Sequence, residues 1–386
     1  MIAKRIALVF GGGYVPGLNA VVAGTISAAG ELGWEVVGIR DGFDGVLFPE
    51  RYPDGGIVAL GRLSGGAHPM AGGAVLGTDT LLNPFRVRRI NPLNQVEEVD
   101  RSDELLGLLQ SQRIEALVAV VGAAELGVIW KLSRKGLPVV CIPKSAENDI
   151  SGVPISLGYN STLNFASEML GRAREAAHFT GKIGVVEVLG EYSGWLALQA
   201  ATVVQADAVV IPEISCDLQK IATRLKAKTM AGRTFGLVVV SEGARVLSEP
   251  APPQTAPELK SALSPGATGA ATQQVFDRSG RAAREVALEL QRLTDHDTYP
   301  LVLGQLAKGG PPSVVDAQLA LGYAVGAVRA ISENHLGVAV VFHPPDLAFL
   351  PLADLVNKFK TIPRDSELLK IARALGIELG TEEANR

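Results

Sequence analysis

Short apolar runs alternate with amphipathic stretches over the first 160 residues. Ile6-Ala7-Leu8-Val9-Phe10 has no polar position and reads as a strand covered on both faces. Residues 19–32, rich in alanine, read as a helix, and residues 34–39 as a second strand. Further along, 103–112 and 125–135 are helical, while 116–121 and 138–142 are strands. Strands and helices in this alternation predict a parallel sheet with helices on both faces. A second series begins near Tyr159: helices over 164–178 and 193–204, strands over 183–189, 208–211 and 237–240. From Leu301 come a strand, a Gly-Gly-Pro-Pro turn at 309–312, a helix over 314–332 and a short tail helix over 366–375. The pattern predicts an α/β fold of two Rossmann-like lobes with mainly parallel sheets. Residues 247–271, rich in Pro, Ala and Ser, are expected to form a mobile loop or insertion.

Composition narrows the class. The 386 residues suit about two domains, and 47% hydrophobic content suits an ordinary globular core. A net charge of -4 gives no reason to expect nucleic acid or an anionic membrane as partner. Cys141 and Cys216 make neither a disulfide framework nor a zinc site, and Cys141 reads as a small buried hydrophobe. There is no run of 18 apolar residues, and the first strand follows an N-terminus that lacks a secretory core. The expectation is a cytoplasmic protein.

The candidate chemistry lies at strand ends. Gly11-Gly12-Gly13-Tyr14-Val15-Pro16-Gly17-Leu18-Asn19 joins the first strand to the first helix. Glycines there let the backbone approach a phosphate, and a helix N-terminus favours the anion. Alone the loop is a weak signal, a plain tight turn being the lesser alternative, and it is no Walker loop. A second Gly-rich turn, residues 72–78, precedes Asn83-Pro84-Phe85, and Val121-Gly122-Ala123-Ala124-Glu125 makes a third. Gly309-Gly310 is either a fourth contact or a helix approach. The densest segment is Pro143-Lys144-Ser145-Ala146-Glu147-Asn148-Asp149-Ile150. A lysine holds phosphate as a point charge, and carboxylates deprotonate a hydroxyl or hold magnesium. Residues 187–195 and 241–244 end two strands of the second series and place polar groups toward a possible cleft, or form structural turns.

Taken in order, these segments resemble the phosphofructokinase family from about Arg5 to about Ile331. Gly12-Gly13-Tyr14-Val15-Pro16-Gly17-Leu18-Asn19 matches the family's opening GGDxPGxN loop, and Ser145-Ala146-Glu147-Asn148-Asp149 its catalytic TIDND. Residues 189–195 match MGRxxGW, and residues 303–310 match LGxxQRGG. Lys144 and Asn83-Pro84-Phe85 lean toward the pyrophosphate-dependent branch. The resemblance implies phosphoryl transfer from ATP or pyrophosphate to fructose 6-phosphate or a related sugar, with Mg2+ as cofactor, in a homodimer or homotetramer. It implies a donor lobe from 1–157 with about 308–355, and a sugar-phosphate lobe from 158–307 with 356–386. Glu147, Lys144 and Asp149 are the implied catalytic residues, with Asp149 also the metal ligand. Gly12, Gly13, Gly77, Thr78, Gly122 and Ala123 are implied at the donor. Ser145, Lys182, Leu189, Gly190, Glu191, Glu242, Tyr299, Gln305 and Lys308 are implied at the acceptor.

Many of these positions depart from the family. The base is Glu147 where the family has Asp, one methylene longer, and a displacement of about 1 Å at a reacting centre costs on the order of 100-fold. Ala123 stands where the family has a magnesium-binding Asp. Glu125, two residues on, is the candidate to substitute for it, and points the wrong way if the turn keeps its family geometry. Arginines of the family are lost near Thr80 and Leu81 and replaced by Glu191, Tyr299, Lys308 and Lys182, the last at the position that reaches across from a neighbouring subunit. Gln305 replaces a histidine. Lysine cannot copy the two-pronged arginine fork, and glutamate repels phosphate. The sequence therefore supports two readings, a phosphotransferase and a catalytically impaired paralogue that binds nucleotide or sugar phosphate as a regulatory or partner subunit. A third is an enzyme on an acceptor without the 6-phosphate.

Overall fold

Thirteen strands are described in the computed structural model, which covers residues 4–62, 68–79, 83–90, 94–245 and 279–381. In chain order they are β1 (Arg5–Phe10), β2 (Glu35–Ile39), β3 (Ile57–Ala59), β4 (Val87–Ile90), β5 (Val96–Val99) and β6 (Ala116–Val121). Then come β7 (Val139–Pro143), β8 (Ile183–Val188), β9 (Ala208–Val210), β10 (Gly236–Ser241), β11 (Thr298–Val302), β12 (Val338–His343) and β13 (Asp346–Pro351). A seven-stranded sheet has the order β13-β12-β7-β6-β1-β2-β3, with antiparallel pairing only at its two edges. A four-stranded sheet, β11-β8-β10-β9, is parallel throughout. β4 and β5 form a separate antiparallel ribbon.

Burial explains the continuous apolar runs. Every residue of β6, β7, β8 and β10 is buried, because helices cover both faces of each sheet. Both cysteines are buried and free. The helix Val314–Ser332 is long and apolar enough to cross a membrane by length and composition, but it packs in the core along the helix Leu18–Glu31. Gly24 allows that approach: a Cβ there would stand 2.8 Å from the Ala324 Cβ.

The α/β alternation read from the sequence is present, with differences. The helix read over 164–178 runs Tyr159–Thr180. Its early start depends on Asp316, buried in the helix Val314–Ser332, whose carboxylate accepts the Gly158 and Ser161 amides at 3.0 and 2.6 Å. The strand placed from Leu301 begins at Thr298. The strands β3, β4, β5, β12 and β13 and the helices Leu218–Met230 and Arg281–Thr294 were not legible in the alternation. The helix Arg281–Thr294 had a signal, apolar residues at 282, 283, 286, 287 and 290 on one buried face. The expected insertion at 247–271 and the positions Thr80 and Leu81 lie outside the described residues.

Candidate active site

The glycine loops meet where the strand order places them. β1 and β6 are neighbours, and the Gly11 amide donates to the Val120 carbonyl at 3.0 Å. Gly11 also bridges to Asp79 in parallel, with the Gly12 amide on the Asp79 carbonyl at 2.6 Å. Gly12, Gly13, Gly77, Thr78, Gly122 and Ala123 are thereby brought to one end of the large sheet, at the carboxyl ends of its strands. Their glycines have different reasons. A Cβ on Gly77 (φ 71°) would overlap the Asp41 carboxylate, so that glycine serves local packing. Gly72 is pressed against the Gly310 carbonyl, and Tyr14 ties the two loops by donating to that carbonyl at 3.2 Å and accepting the Gly73 amide at 2.7 Å. Gly309-Gly310 is thus a loop contact. Asn19 holds the same turn, accepting the Val75 amide and donating to the Gly72 carbonyl.

Glu125 turns toward the loops. It lies in the first turn of the helix Ala123–Arg134, yet its carboxylate turns back to accept the Gly122 amide at 3.2 Å. Burial pushes its pKa up, with Lys144 pulling it back. Lys144 leaves the end of β7 only 3% exposed, and its ammonium donates to the Gly13 carbonyl. Burial lowers its pKa to about 8, against the opposing pull of Glu125.

The segment after Lys144 is a self-bonded turn. The Ser145 hydroxyl donates to Asp149 Oδ1 at 2.6 Å and accepts the Glu147 amide at 3.0 Å. Asn148, at φ 55°, anchors it by accepting the Ser156 amide. Asparagine tolerates this left-handed backbone better than most residues. The turn presents Glu147 and Asp149 half-buried on one side. Glu147 Oε2 accepts the Glu191 amide from the end of β8 at 3.3 Å, joining the two sheets at this point. Glu242 reaches the Gly190 amide weakly at 3.5 Å. Burial, then Asp149 and Glu242, push the Glu147 pKa up to about 8, with Lys308 opposing. Asp149 and Glu242 are also raised, mainly by burial. Three carboxylates and Lys308 therefore share one cleft.

Other implied residues fall elsewhere. Leu189 is buried in the core, so its side chain does not line the cleft. Glu187, read as facing the cleft, instead caps the helix Arg281–Thr294 by accepting the Gly280 and Ala283 amides at 2.7 and 2.9 Å. Ser241 is likewise structural, donating to the Gly190 carbonyl at 2.7 Å. Gln305 is exposed beside Lys308 in a short 3-10 turn, Gly304–Lys308. Lys182 and Tyr299 sit at the opposite end of β8: Lys182 pairs with Asp297 at 3.3 Å, and Tyr299 stands opposite Gly184. Within one chain these two do not join the cleft.

Sequence reasoning missed a C-terminal strap. Ile150 bridges to Phe359, and the Lys360 amide donates to the Asp149 carbonyl at 2.7 Å. Phe359 stacks on Tyr192 with ring centroids 4.4 Å apart. Lys360 lies over the Trp195 ring and bonds the Val153 and Pro154 carbonyls. Burial lowers its pKa to about 8, with Asp149 opposing. Burial and the three nearby carboxylates push Tyr192 up to about 12. Nothing in the 356–362 segment marked it, because the contacts that tie Phe359 and Lys360 to the cleft are distant in sequence.

The donor set fits magnesium only in part. Asp149 offers a carboxylate in the cleft, and Ala123 offers none. Among the described residues no three acidic, His or Cys side chains gather as a metal cage. That suits an ion held by one or two carboxylates together with phosphate oxygens and water.

A protein-family model described as Phosphofructokinase matches residues 5–331. An ATP-dependent 6-phosphofructokinase of Chloroflexus aggregans is 31% identical over 379 residues, covering 98% of each chain. One of Synechocystis is 30% identical over 382 residues, covering 98% of this chain and 99% of the relative. The phosphofructokinase structure from Saccharomyces cerevisiae aligns with TM-score 0.68 at 24% identity, over 91% of this chain and 45% of that one. The pyrophosphate-dependent phosphofructokinase of Nitrosospira multiformis aligns with TM-score 0.70 at 18% identity, over 100% and 94%. At these identities the two solved structures show the shared fold.

Proposed function

The chain belongs to the phosphofructokinase family, and from that premise we propose that it transfers a phosphoryl group to fructose 6-phosphate or a related sugar. The observation that carries the reading is the Ser145–Asp149 turn, which sets Glu147 and Asp149 beside Lys144 and the three converging loops. The seven-stranded sheet is the donor lobe in this reading and the four-stranded sheet the sugar lobe. ATP is favoured as donor by the names of the relatives at 30–31% identity. Pyrophosphate is favoured by Lys144 and Asn83-Pro84-Phe85.

Glu147 takes the proton from the attacking sugar hydroxyl, which it does only when ionised. Gly12, Gly13 and the Gly122 amide approach the donor phosphates with backbone, and Lys308 offsets developing negative charge. Asp149 would hold magnesium, which neutralises charge on the transferring group when bound. Ser145 keeps Asp149 oriented, and the Phe359–Tyr192 stack walls the cleft from water. A homodimer or homotetramer gives Lys182 and Tyr299 a role, since a second copy is what they can reach.

The second reading, a catalytically impaired paralogue that binds nucleotide or sugar phosphate, is favoured by Ala123 and by Glu191 near the acidic turn. A coupled assay with fructose 6-phosphate and magnesium, run with ATP and then with pyrophosphate, separates the two. Turnover with either donor supports the phosphotransferase. No turnover with either, from a folded sample, sinks fructose 6-phosphate as acceptor, and no turnover with related sugars as well sinks the phosphotransferase in favour of the paralogue.

A further inference from the structure

Glu125 occupies the place in the loop cluster that suits an anion. Its Oε2 accepts the Gly122 amide at 3.2 Å, at the N-terminus of the twelve-residue helix Ala123–Arg134. A Cβ built on Gly12 would stand 2.6 Å from that same oxygen. Only a glycine, here at φ 79°, admits the carboxylate so close to the first loop. The Lys144 ammonium is held on the adjacent Gly13 carbonyl, and its charge acts directly on Glu125. A backbone amide, the positive end of a helix and a buried lysine are what a phosphate group is bound by. Here the Glu125 carboxylate holds the amide at the helix end, and Lys144, bonded to the Gly13 carbonyl, acts on it as a nearby charge.

We propose that Glu125 is an internal gate on the phosphoryl-donor cradle, its carboxylate holding the position between Gly12, Gly122 and Lys144 that a donor phosphate takes once Glu125 swings out. The proposal rests on the reading that these loops receive the donor. A carboxylate left in place would face the incoming phosphate at contact distance, and like charges at that range repel strongly. The gate therefore lowers affinity for any donor, and its removal raises it.

The test is direct binding of inorganic pyrophosphate to the full chain, by calorimetry, without sugar or magnesium. Wild type is compared with Glu125→Gln, which keeps the shape, and Glu125→Ala, which empties the position. Both variants are expected to bind roughly tenfold tighter or more. Unchanged or weaker binding by folded variants overturns the gate, as does no binding by any of the three chains. If Glu125→Ala melts below the assay temperature, Glu125→Gln alone decides. Tighter binding by the variants without turnover in the coupled assay supports the gate and sinks fructose 6-phosphate as acceptor. Wild-type turnover with unchanged variant affinity sinks the gate alone.

Discussion

Glu147 is a carboxylate placed where its charged form is disfavoured, and two measurable consequences follow. Its pKa rises from 4.5 to about 8 on folding, with burial the largest cause. The folded protein therefore keeps a proton that the unfolded chain has already lost. This stabilisation is fully present below pH 4.5 and is lost as pH rises through about 8. Glu147→Gln removes the dependence, so its melting temperature should exceed that of wild type by roughly a few degrees above pH 8, the gap closing toward acid pH. Equal pH profiles for the two proteins would contradict this placement. If Glu147 is the base, turnover rises with pH through about 8, and Glu147→Gln loses on the order of 100-fold or more. At the neighbouring position, Glu191→Arg combined with Ala123→Asp should raise turnover by roughly tenfold or more, since both restore charge the chemistry uses. Unchanged turnover in that double variant would mean the pocket serves another purpose.

Helix ends carry the next set of predictions. The helix Arg281–Thr294 begins after Gly280, whose side-chain-free cap leaves its amides to the buried Glu187 carboxylate. Glu187→Ala strands two amides and is expected to lower unfolding free energy by about 2–3 kcal/mol, read as a lower urea midpoint at constant slope. Asp316 does the same for the helix Tyr159–Thr180, and its carboxylate also takes the Ser161 hydroxyl at 2.5 Å. Asp316→Ala should cost about 3 kcal/mol and open the N-terminal turn of that helix to amide exchange. Protection unchanged at Tyr159–Thr162 would refute the trans-capping role. Both acids are far in sequence from the helices they cap. A reading of local start signals therefore placed the helix Tyr159–Thr180 five residues late and passed over Arg281–Thr294.

Across the whole molecule, the two sheets are fastened together at the cleft by Glu147 on the Glu191 amide and by the strap around Lys360. The strap joins Asp149, Val153, Pro154 and Trp195, which come from both lobes. Lys360→Ala is expected to destabilise the protein by about 2 kcal/mol and to change Trp195 fluorescence in the folded state. An unchanged emission spectrum would show that the ammonium does not sit over the indole.

The strand runs, the parallel α/β order and the family were all readable along the chain, because uninterrupted apolar pentads and glycine turns are local signals. So were Lys144, Glu147 and Asp149, whose chemistry is compressed into six residues. Which acids face the cleft depends on how the chain folds. Glu187 and Glu242 both end strands of one sheet, yet one caps a helix and the other faces Glu147. The direction of Glu125 was open in the sequence, and it turns toward the loops because the space left by Gly12 is made by a loop more than a hundred residues away. Side-chain direction and the fields of neighbouring charges depend on contacts between distant segments, and such contacts leave no mark on local sequence.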